Sequence, residues 1–395
     1  MSAQQQPPQS SMAITLQIVS IVFYTFIAFL CIGLPIAVLP GYVHEQLGFS
    51  AVIAGLVIGS QYLATLLSRP MAGRMSDTIG TKRAIVYGLS GIVLSGVLTL
   101  VSTLLQSLPL LSLSILIVGR LLLGIAQGLI GVGTISWCMG QVGAEHTARS
   151  ISWNGIASYG AIAIGAPLGV VMVANYGFES LGIALSLLAA GALLLIRNKP
   201  SVPVVRGERL PFWAVLGRIA PFGASLSLAS IGYGTLTTFI TLYYLNRGWS
   251  GAAYCLTVFG VCFILSRLLF ISAIGRFGGF TSAIACMTIE TVGLVMLWLA
   301  PSTAYALVGA GLAGFGLSLV YPALGVEAIK QVPNSSRGAG LSAYAVFFDL
   351  ALAIAGPLMG AVALNLGYSW IFFSAAVLSV TGLALTLLLK RRAMA

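Results

Sequence analysis

The sequence contains few charged residues. Of its 395 residues, 19 are Lys or Arg and 8 are Asp or Glu, so 7% are charged, against about 25% in soluble domains. Hydrophobic residues make up 58% of the chain, and the mean hydropathy is +1.03. A soluble chain of this composition would expose large apolar patches and aggregate, and disorder requires low hydrophobicity. The composition therefore excludes both classes and predicts an integral membrane protein.

Other scarce features exclude further functions. The chain carries a net charge of +11, but it lacks a long basic tract, so we expect no nucleic-acid partner. It has no nucleotide-binding loop and no convergent nucleophile or metal ligands, so we expect neither an enzyme nor a cofactor. No signal peptide is predicted, because the first apolar run is too long. The five cysteines lie in apolar stretches without metal-ligand spacing and are interpreted as reduced, buried hydrophobes: Cys31, Cys138, Cys255, Cys262 and Cys286.

Long apolar runs fill most of the chain. About 20 consecutive apolar residues cross a bilayer as a helix, because backbone polar groups must be satisfied internally in hydrocarbon. Beta-barrel strands are excluded because the runs are too long and do not alternate. Polar interruptions divide the sequence into twelve predicted spans: 13–39, 50–72, 84–104, 112–138, 150–174, 178–196, 212–245, 252–272, 281–300, 304–329, 339–364 and 368–389.

The positions of Lys and Arg predict the orientation. With a cytoplasmic N-terminus, 17 of the 19 basic residues fall at cytoplasmic loops and span ends, as the positive-inside rule requires. Arg120, inside span four, and Arg247, after span seven, are the exceptions. Both termini are therefore predicted to be cytoplasmic. A basic, Pro-containing linker over 197–218, with a short interfacial helix at 210–218, separates a six-span domain at 1–196 from another at 219–395.

The two predicted domains show an internal repeat. An offset of 190 residues places Gly119, Gly124 and Pro167 on Gly309, Gly314 and Pro357. An offset of 198 places Ser68-Arg69 on Ser266-Arg267, and Gly80 on Gly278. Repeats of six spans are typical of secondary transporters that alternate access around a central site. The matches follow the order of the spans, which favours a true repeat over chance similarity among glycine-rich helices.

Three motifs identify a family resemblance. Residues 73–83 read GRMSDTIGTKR and resemble the G-x-x-x-D-[RK]-x-G-R-[RK] loop of the major facilitator superfamily, with Thr78 and Thr81 where basic residues are usual. Residues 120–128, RLLLGIAQG, resemble its span-four Arg motif, and 160–169, GAIAIGAPLG, its span-five antiporter motif with Ala166 inserted. The resemblance covers the whole chain and is nearest to bacterial drug/proton antiporters and sugar-efflux permeases. It implies an all-α membrane protein with twelve transmembrane helices in two pseudo-symmetric six-helix bundles.

The resemblance also implies gating residues. A carboxylate near a helix N-terminus is stabilised by its partial positive charge, and the family fold would place Asp77 near the start of span eleven, where it would hold the cytoplasmic side closed. Small residues and a proline in spans five and eleven permit close packing and bending, although any packed bundle contains similar residues. The predicted gating residues are Gly73, Asp77, Gly80, Arg83, Gly165, Pro167, Gly169 and Pro357.

Charged residues inside the spans are candidates for coupling, because each costs at least about 2.5–3.5 kcal/mol at the bilayer centre. Arg120 would tune a proton site or bind an anionic substrate group, or else tie backbone carbonyls. Asp349, mid-span eleven, is the first choice for proton coupling, with helix packing as the alternative. Glu290 lies in span nine, which is peripheral in the family fold, and is a coupling candidate or an acid bonded to a neighbour. Glu327 is a coupling candidate or the ion-pair partner of Lys330.

Hydroxyl and aromatic side chains in the spans that line the cavity of the family fold are candidates for substrate binding. They are Tyr24, Gln127, Trp137, Tyr233, Thr237, Thr241 and Tyr321. Many proton-coupled relatives have an acid in span one, and this chain has none.

The sequence predicts a multi-pass transporter of a bacterial inner membrane. The favoured mechanism is export of a small molecule in exchange for protons by alternating access, with protons, the substrate and the lipid bilayer as partners of a monomer. Uptake by proton symport or facilitated diffusion is the first alternative. A membrane-embedded enzyme, or a sensor that only binds its ligand, is the alternative from another class.

Overall fold

A computed structural model describes residues 11–36, 38–49, 51–205, 208, 210–270 and 272–394. Twelve long helices account for most of these residues. They are α1 (Ser11–Ile36), α2 (Ala51–Thr78), α3 (Thr81–Leu104), α4 (Pro109–Val142), α5 (Thr147–Tyr176), α6 (Glu179–Arg197), α7 (Phe212–Asn246), α8 (Ala252–Phe270), α9 (Gly279–Leu299), α10 (Thr303–Ile329), α11 (Arg337–Leu366) and α12 (Trp370–Met394). The described ranges contain no strand.

Short helical turns connect several of the long helices. They are Leu39–Gly41, a π-helical turn at Tyr42–Gln46, 3-10 turns at Ala144–His146 and Asn334–Ser336, and Ala273–Phe277. The connections α2–α3 and α8–α9 each depend on a glycine at positive φ: Gly80 at 97° and Gly278 at 82°. Side chains with a Cβ rarely adopt this conformation. The two glycines paired by the repeat therefore make the same tight turn in both halves.

The twelve predicted spans correspond to the twelve helices. Ten helices are long and apolar enough to cross a membrane, and α8 contains a shorter apolar helix at Tyr254–Phe270. The remaining helix, α2, has 28 residues and spans about 42 Å at 1.5 Å per residue. The predicted all-α, twelve-helix fold is therefore confirmed.

One helix end and one separate short helix were predicted wrongly. The loop expected after span two is largely helical, because α2 continues to Thr78 and contains Asp77 in its last turn. The interfacial helix expected at 210–218 is not separate, because α7 runs from Phe212 without interruption. In both cases the helix includes polar residues next to the apolar run, because its backbone hydrogen bonds continue through them. A residue that suits a turn or cap lies just outside the helix: Gly80 after α2 and Pro211 before α7.

The chain forms two compact units, residues 1–207 and 208–395. Within the first unit the main packed pairs are α3–α4, α1–α5, α2–α4, α3–α6 and α1–α4. Within the second they are α9–α10, α7–α11, α8–α10, α7–α12, α9–α12 and α7–α10. All of these except α7–α12, whose counterpart α1–α6 packs less extensively, are the first-unit pairs shifted by six helices. The two units thus share one packing plan, as the repeat in the sequence predicts.

Glycines allow the closest helix crossings. A Cβ at Gly124 in α4 would clash with the backbone carbonyl of Gln61 in α2, and one at Gly314 in α10 would clash with that of Phe259 in α8. Offsets of 190 and 198 residues relate these two crossings. Backbones can approach this closely only where a residue has no side chain, so the repeated glycines have a packing function.

The predicted linker is attached to both units. On the first, Trp137 Nε1 and Gln141 Nε2 both donate to Pro200 O at 3.2 Å, and Lys82 Nζ donates to Lys199 O at 2.6 Å. On the second, Ser335 Oγ donates to Glu208 O at 2.6 Å, and the backbone N–H of Leu210 donates to Ser336 Oγ at 3.0 Å. Its residues 206, 207 and 209 lie outside the described ranges. The predicted linker therefore contains the boundary between the units, and its described residues are docked rather than free.

Candidate functional site

The first unit contains a buried arginine within α4. Arg120 is 5% exposed, and its Nη1 donates to Gln61 Oε1 in α2 at 3.1 Å. Its Nε is buried and has no hydrogen-bond partner among the described residues. A guanidinium carries five N–H donors, and this is the one hydrogen bond that the described structure gives it. Arg120 is therefore a desolvated cation with most of its donors unused.

A chain of polar side chains orients Gln61. Its Nε2 donates to Gln127 Oε1 at 3.4 Å, and Thr65 Oγ1 approaches the same oxygen at 3.3 Å. Thr65 Oγ1 also lies 2.9 Å from Gly124 O. If the Gln61 amide were flipped, its NH₂ group would face the donors of Arg120, so the observed orientation is the one that satisfies both ends. The predicted residues Arg120 and Gln127 thus belong to one network, which we call the Arg120 cluster: Gln61, Thr65, Arg120 and Gln127.

Sequence reasoning missed Gln61 and Thr65. Both lie in α2, four residues apart and therefore on one face of the helix. Gln61 is 3% exposed and Thr65 is 2% exposed. A glutamine within an apolar span is costly unless it is hydrogen-bonded, and this signal could have selected Gln61. Its contact with Arg120 is tertiary and has no signature in the sequence.

A small cavity adjoins the Arg120 cluster. It is lined by Ile32, Ile36, Leu39, Ile58, Gln61, Tyr62 and Arg120, all within the first unit. No carboxylate of the described residues lies within ion-pair distance of Arg120. The cavity therefore combines an unneutralised cation and an amide with largely apolar walls.

Two predicted substrate-binding residues lie near the linker. Tyr24 and Trp137 are 1% and 0% exposed, and their rings stack with centroids 6.0 Å apart. The single donor of the indole is used on Pro200 O, as described above. In this structure Trp137 therefore anchors the linker, and its contribution to substrate binding remains a prediction.

A second polar network crosses the first unit. Thr25 Oγ1 of α1 lies 2.7 Å from both Thr134 Oγ1 of α4 and Asn154 Oδ1 of α5, and Thr134 Oγ1 lies 3.0 Å from the same amide oxygen. Sequence reasoning selected none of the three. Each hydroxyl finds a partner on another helix, so the network ties α1, α4 and α5 together.

In the second unit, Glu290 is the more deeply buried of the two buried acids that the structure describes, the other being Glu327. Glu290 is 1% exposed, and its Oε2 has no hydrogen-bond partner among the described residues. Its Oε1 would lie 3.1 Å from a Cβ built on Gly232 in α7, and a Cβ on Gly316 in α10 would clash with its backbone. Glu290 therefore reaches from α9 to α7, and α10 passes closely behind it. The expected bond to a neighbour is absent at Oε2.

The other two candidate acids differ from Glu290. Glu327 forms the ion pair with Lys330 that the spacing indicated, with Oε2 and Nζ 2.9 Å apart. Its Oε1 accepts from the backbone N–H of Gly279 at 3.2 Å, so the carboxylate caps the N-terminus of α9. Asp349, in α11, is half-buried and engaged in interactions.

The remaining substrate-binding candidates of the second unit do not form one cluster. Tyr233 in α7 stacks on Phe259 at 5.2 Å, whereas Thr237 is exposed and bonds to its own helix. Tyr321 in α10 packs edge to face against Tyr344, with centroids 4.9 Å apart. The side chain of Thr241 lies outside the described residues. The three described residues therefore contact different neighbours.

The predicted gating residues fall into two groups. Gly73, Asp77, Gly80 and Arg83 surround the α2–α3 turn; Gly73 is buried and Arg83 is exposed. Gly165 and Gly169 press α5 against the backbone of Leu34 in α1, where a Cβ would meet main-chain atoms. Pro167 in α5 and Pro357 in α11 are both exposed and occupy matching positions in the two units.

Arg267 lies at a span end, as expected, but its side chain is buried. It is 3% exposed in the last turn of α8, where its Nε donates to Ser318 O at 3.1 Å and its guanidinium lies 4.7 Å from the Phe263 ring centroid. Arg267 therefore ties α8 to α10, because its long side chain reaches back into the unit from the helix end.

Comparisons with known proteins agree with this architecture. The family model described as Major Facilitator Superfamily matches residues 21–282 and 251–394. An MFS-type transporter of Pseudomonas aeruginosa is 55% identical over 389 residues, covering 98% of this chain and 97% of that protein.

Two solved structures share the fold. The crystal structure of the human organic anion transporter MFSD10 aligns with a TM-score of 0.78 and 17% identity, over 96% of this chain and 100% of that one. The Escherichia coli fucose:proton symporter FucP aligns with a TM-score of 0.76 and 16% identity, over 96% and 98%. At these identities the similarity concerns the fold alone. With its matching family model, its relative and its two six-helix units, the chain belongs to the major facilitator superfamily of transporters.

Proposed function

We propose that this protein is a proton-coupled exporter of a small molecule in a bacterial inner membrane, with both termini in the cytoplasm. The observation that carries the coupling is the carboxyl of Glu290, buried in the second unit with one oxygen unpartnered among the described residues. A buried acid in a membrane protein is costly and is generally functional. An acid with no fixed partner is free to bind and release a proton.

The neighbours of Glu290 support this assignment over Asp349 and Glu327. Glu290 contacts α7 at Gly232 and packs against α10 at Gly316, so a movement of either helix changes its surroundings. Glu327 is engaged with Lys330 and the N-terminus of α9, which gives it a structural task. Asp349 is half-buried and already engaged, so it is the second candidate for the coupling acid.

Export is favoured by the antiporter-like motif of α5. The antiporter-like motif of residues 160–169 places Gly165 and Gly169 directly against the backbone of α1. This close contact gives the motif a physical role in packing. The direction of transport itself rests on the resemblance of the motif to that of exporters.

Gating is proposed at the α2–α3 turn. Asp77 lies in the last turn of α2, three residues before Gly80 at the tight turn. A carboxylate at the C-terminal end of a helix is unfavourable toward that helix's own dipole, so its position calls for another favourable interaction. We propose that Asp77 stabilises the conformation closed to the cytoplasm, and that Asp77→Asn weakens that state.

Transport in vesicles tests the proposed function. Strains that lack or overproduce the protein are first screened for altered sensitivity to a chemical panel. Each compound so identified is then measured in everted vesicles, whose cytoplasmic face points outward. Proton-coupled export predicts uptake driven by an acid interior and abolished by an uncoupler. Proton-driven accumulation in right-side-out vesicles would instead establish uptake by symport, and equilibration without accumulation would establish facilitated diffusion.

A further inference from the structure

We propose that the Arg120 cluster is a binding site for the anionic head group of a small organic anion. The inference rests on the proposed function for the view that a small molecule is transported, and it names the chemical class of that molecule. The site lies within the first unit, between α1, α2 and α4, and it consists of Arg120, Gln61 and the adjoining cavity.

The first argument is charge. A buried cation is costly unless a counter-charge or several hydrogen bonds compensate it. Arg120 is 5% exposed and has no carboxylate within ion-pair distance among the described residues. The four acids of the first unit, Glu45, Asp77, Glu145 and Glu179, all lie at helix ends or in connecting turns. An anion from outside the chain would supply the missing counter-charge.

The second argument is the unused donors. The guanidinium makes one hydrogen bond, to Gln61 Oε1, and its buried Nε has no partner among the described residues. Adjacent N–H groups of a guanidinium match the two oxygens of a carboxylate, or two of those of a phosphonate or sulfonate. The unpartnered donors therefore fit a bidentate oxyanion.

The third argument is preorganisation. Gln61 Oε1 accepts from Nη1 on one side of the guanidinium, and Gln61 Nε2 in turn donates to Gln127 Oε1. The crossing of α2 and α4 at Gly124 brings the two helix backbones into contact beside the cluster. Side chains locked in this way lose little entropy when a ligand binds. The cluster is thus built to keep one edge of Arg120 available.

The cavity walls indicate the rest of the ligand. Ile32, Ile36, Leu39 and Ile58 supply apolar surface, and Tyr62 adds an aromatic ring. Small-molecule sites combine such surfaces with a few polar groups that fix orientation. The apolar lining beside the charge therefore favours an oxyanion whose head group, the part that the small cavity would receive, is attached to an apolar body.

The test is an equilibrium binding measurement on the purified full-length protein. Thermal unfolding is followed in detergent with millimolar benzoate, phenylphosphonate or benzenesulfonate, each compared with the neutral benzamide or benzenesulfonamide. We expect at least one anion to raise the Tm while its neutral counterpart does not. No anion-specific shift in the wild type would overturn the proposal.

Variants locate the site. Gln61→Glu places a carboxylate beside Arg120, so it should raise the Tm without ligand and weaken anion binding roughly tenfold or more. Arg120→Gln should abolish the rise in Tm that the anion causes. Arg247→Gln, which removes an exposed arginine, should retain that rise. If Arg120→Gln does not fold, Gln61→Glu decides. If anions raise the Tm of Gln61→Glu as much as that of the wild type, the assignment of the anion site to the Arg120 cluster is contradicted.

The binding test separates this inference from the proposed function, because no gradient is applied. Anion binding without proton-driven transport would refute the proposed function alone. Proton-driven export of neutral compounds, with no anion-specific shift, would refute the anion site alone.

Discussion

The two halves of the molecule share a scaffold but differ in chemistry. The offset of 190 residues that places Gly124 on Gly314 also places Arg120 on Ala310. The offset of 198 residues places Gln61 on Phe259. Where the first unit has a buried hydrogen-bonded cation, the second has Phe259 stacked between Tyr233 and Phe263, at 5.2 and 6.1 Å. The same helix crossing therefore supports a polar network in one half and an aromatic stack in the other.

The two halves also differ at Glu290, where the second unit has the polar residue. Glu290 of α9 corresponds to Ile92 of α3, and both side chains are almost completely buried. The first unit thus carries an unneutralised cation, and the second carries an acid with an unpartnered oxygen. The comparison indicates that the repeated glycines maintain the fold, and the substituted positions are those to which we assign recognition and coupling in the proposals above.

The largest effect is expected at the cation of the first half. Arg120→Leu should lower transport about 100-fold, or about 2.7 kcal/mol, and leave the Tm unchanged or higher, because it removes an uncompensated buried charge. Initial rates in proteoliposomes and the Tm of the same preparation check this. Arg247→Leu is the control. A fall in Tm that parallels the loss of transport would indicate that Arg120 is structural.

The shared scaffold predicts equal losses in both halves. Gly124→Ala and Gly314→Ala each place a Cβ against backbone atoms of the crossing helix, so each should lower the free energy of unfolding by about 1–3 kcal/mol. Gly131→Ala, in α4, meets nothing within 4 Å. This control should be neutral or stabilise by up to about 1 kcal/mol. A large loss in one half only would break the equivalence of the two crossings.

A smaller effect is expected at Asp349. Because the carboxyl is half-buried and engaged, Asp349→Asn should slow transport a few-fold and leave proton coupling intact. The pH dependence of transport measures this. Loss of gradient-driven transport, with substrate binding spared, would return the coupling function to Asp349.

The smallest effect is expected at Glu327. Glu327→Gln removes an ion pair with Lys330 and a charged cap on α9, which together contribute about 1 kcal/mol at the helix end. A small decrease in Tm with unchanged transport is the expected result, and Lys330→Gln should lower the Tm by less. A block of proton-coupled transport would place Glu327 in the mechanism.

The sequence predicted the helices better than the site. Hydrophobic runs determine where helices cross a membrane, so all twelve were found. The helical end beyond Asp77 was missed, because α2 continues beyond its apolar segment. Arg120 stood out through its cost in lipid. Gln61 did not, because its role depends on a contact between α2 and α4.

The same limit applies to the second half. Glu290 and Asp349 look equivalent in sequence, as single acids near the middle of apolar spans. Their burial differs because of what packs beside them: Gly232 and Gly316 enclose Glu290. Trp137 likewise looked substrate-facing, and only the path of the linker shows that its indole donates to Pro200 O.

Proton movement in proteoliposomes containing wild-type or Glu290→Gln protein tests the division between the halves most directly. With a transported compound supplied on one side, the wild type should move protons in the opposite direction. Glu290→Gln should still exchange labelled for unlabelled compound but move no protons. Proton-coupled transport at the wild-type rate in Glu290→Gln would contradict the account.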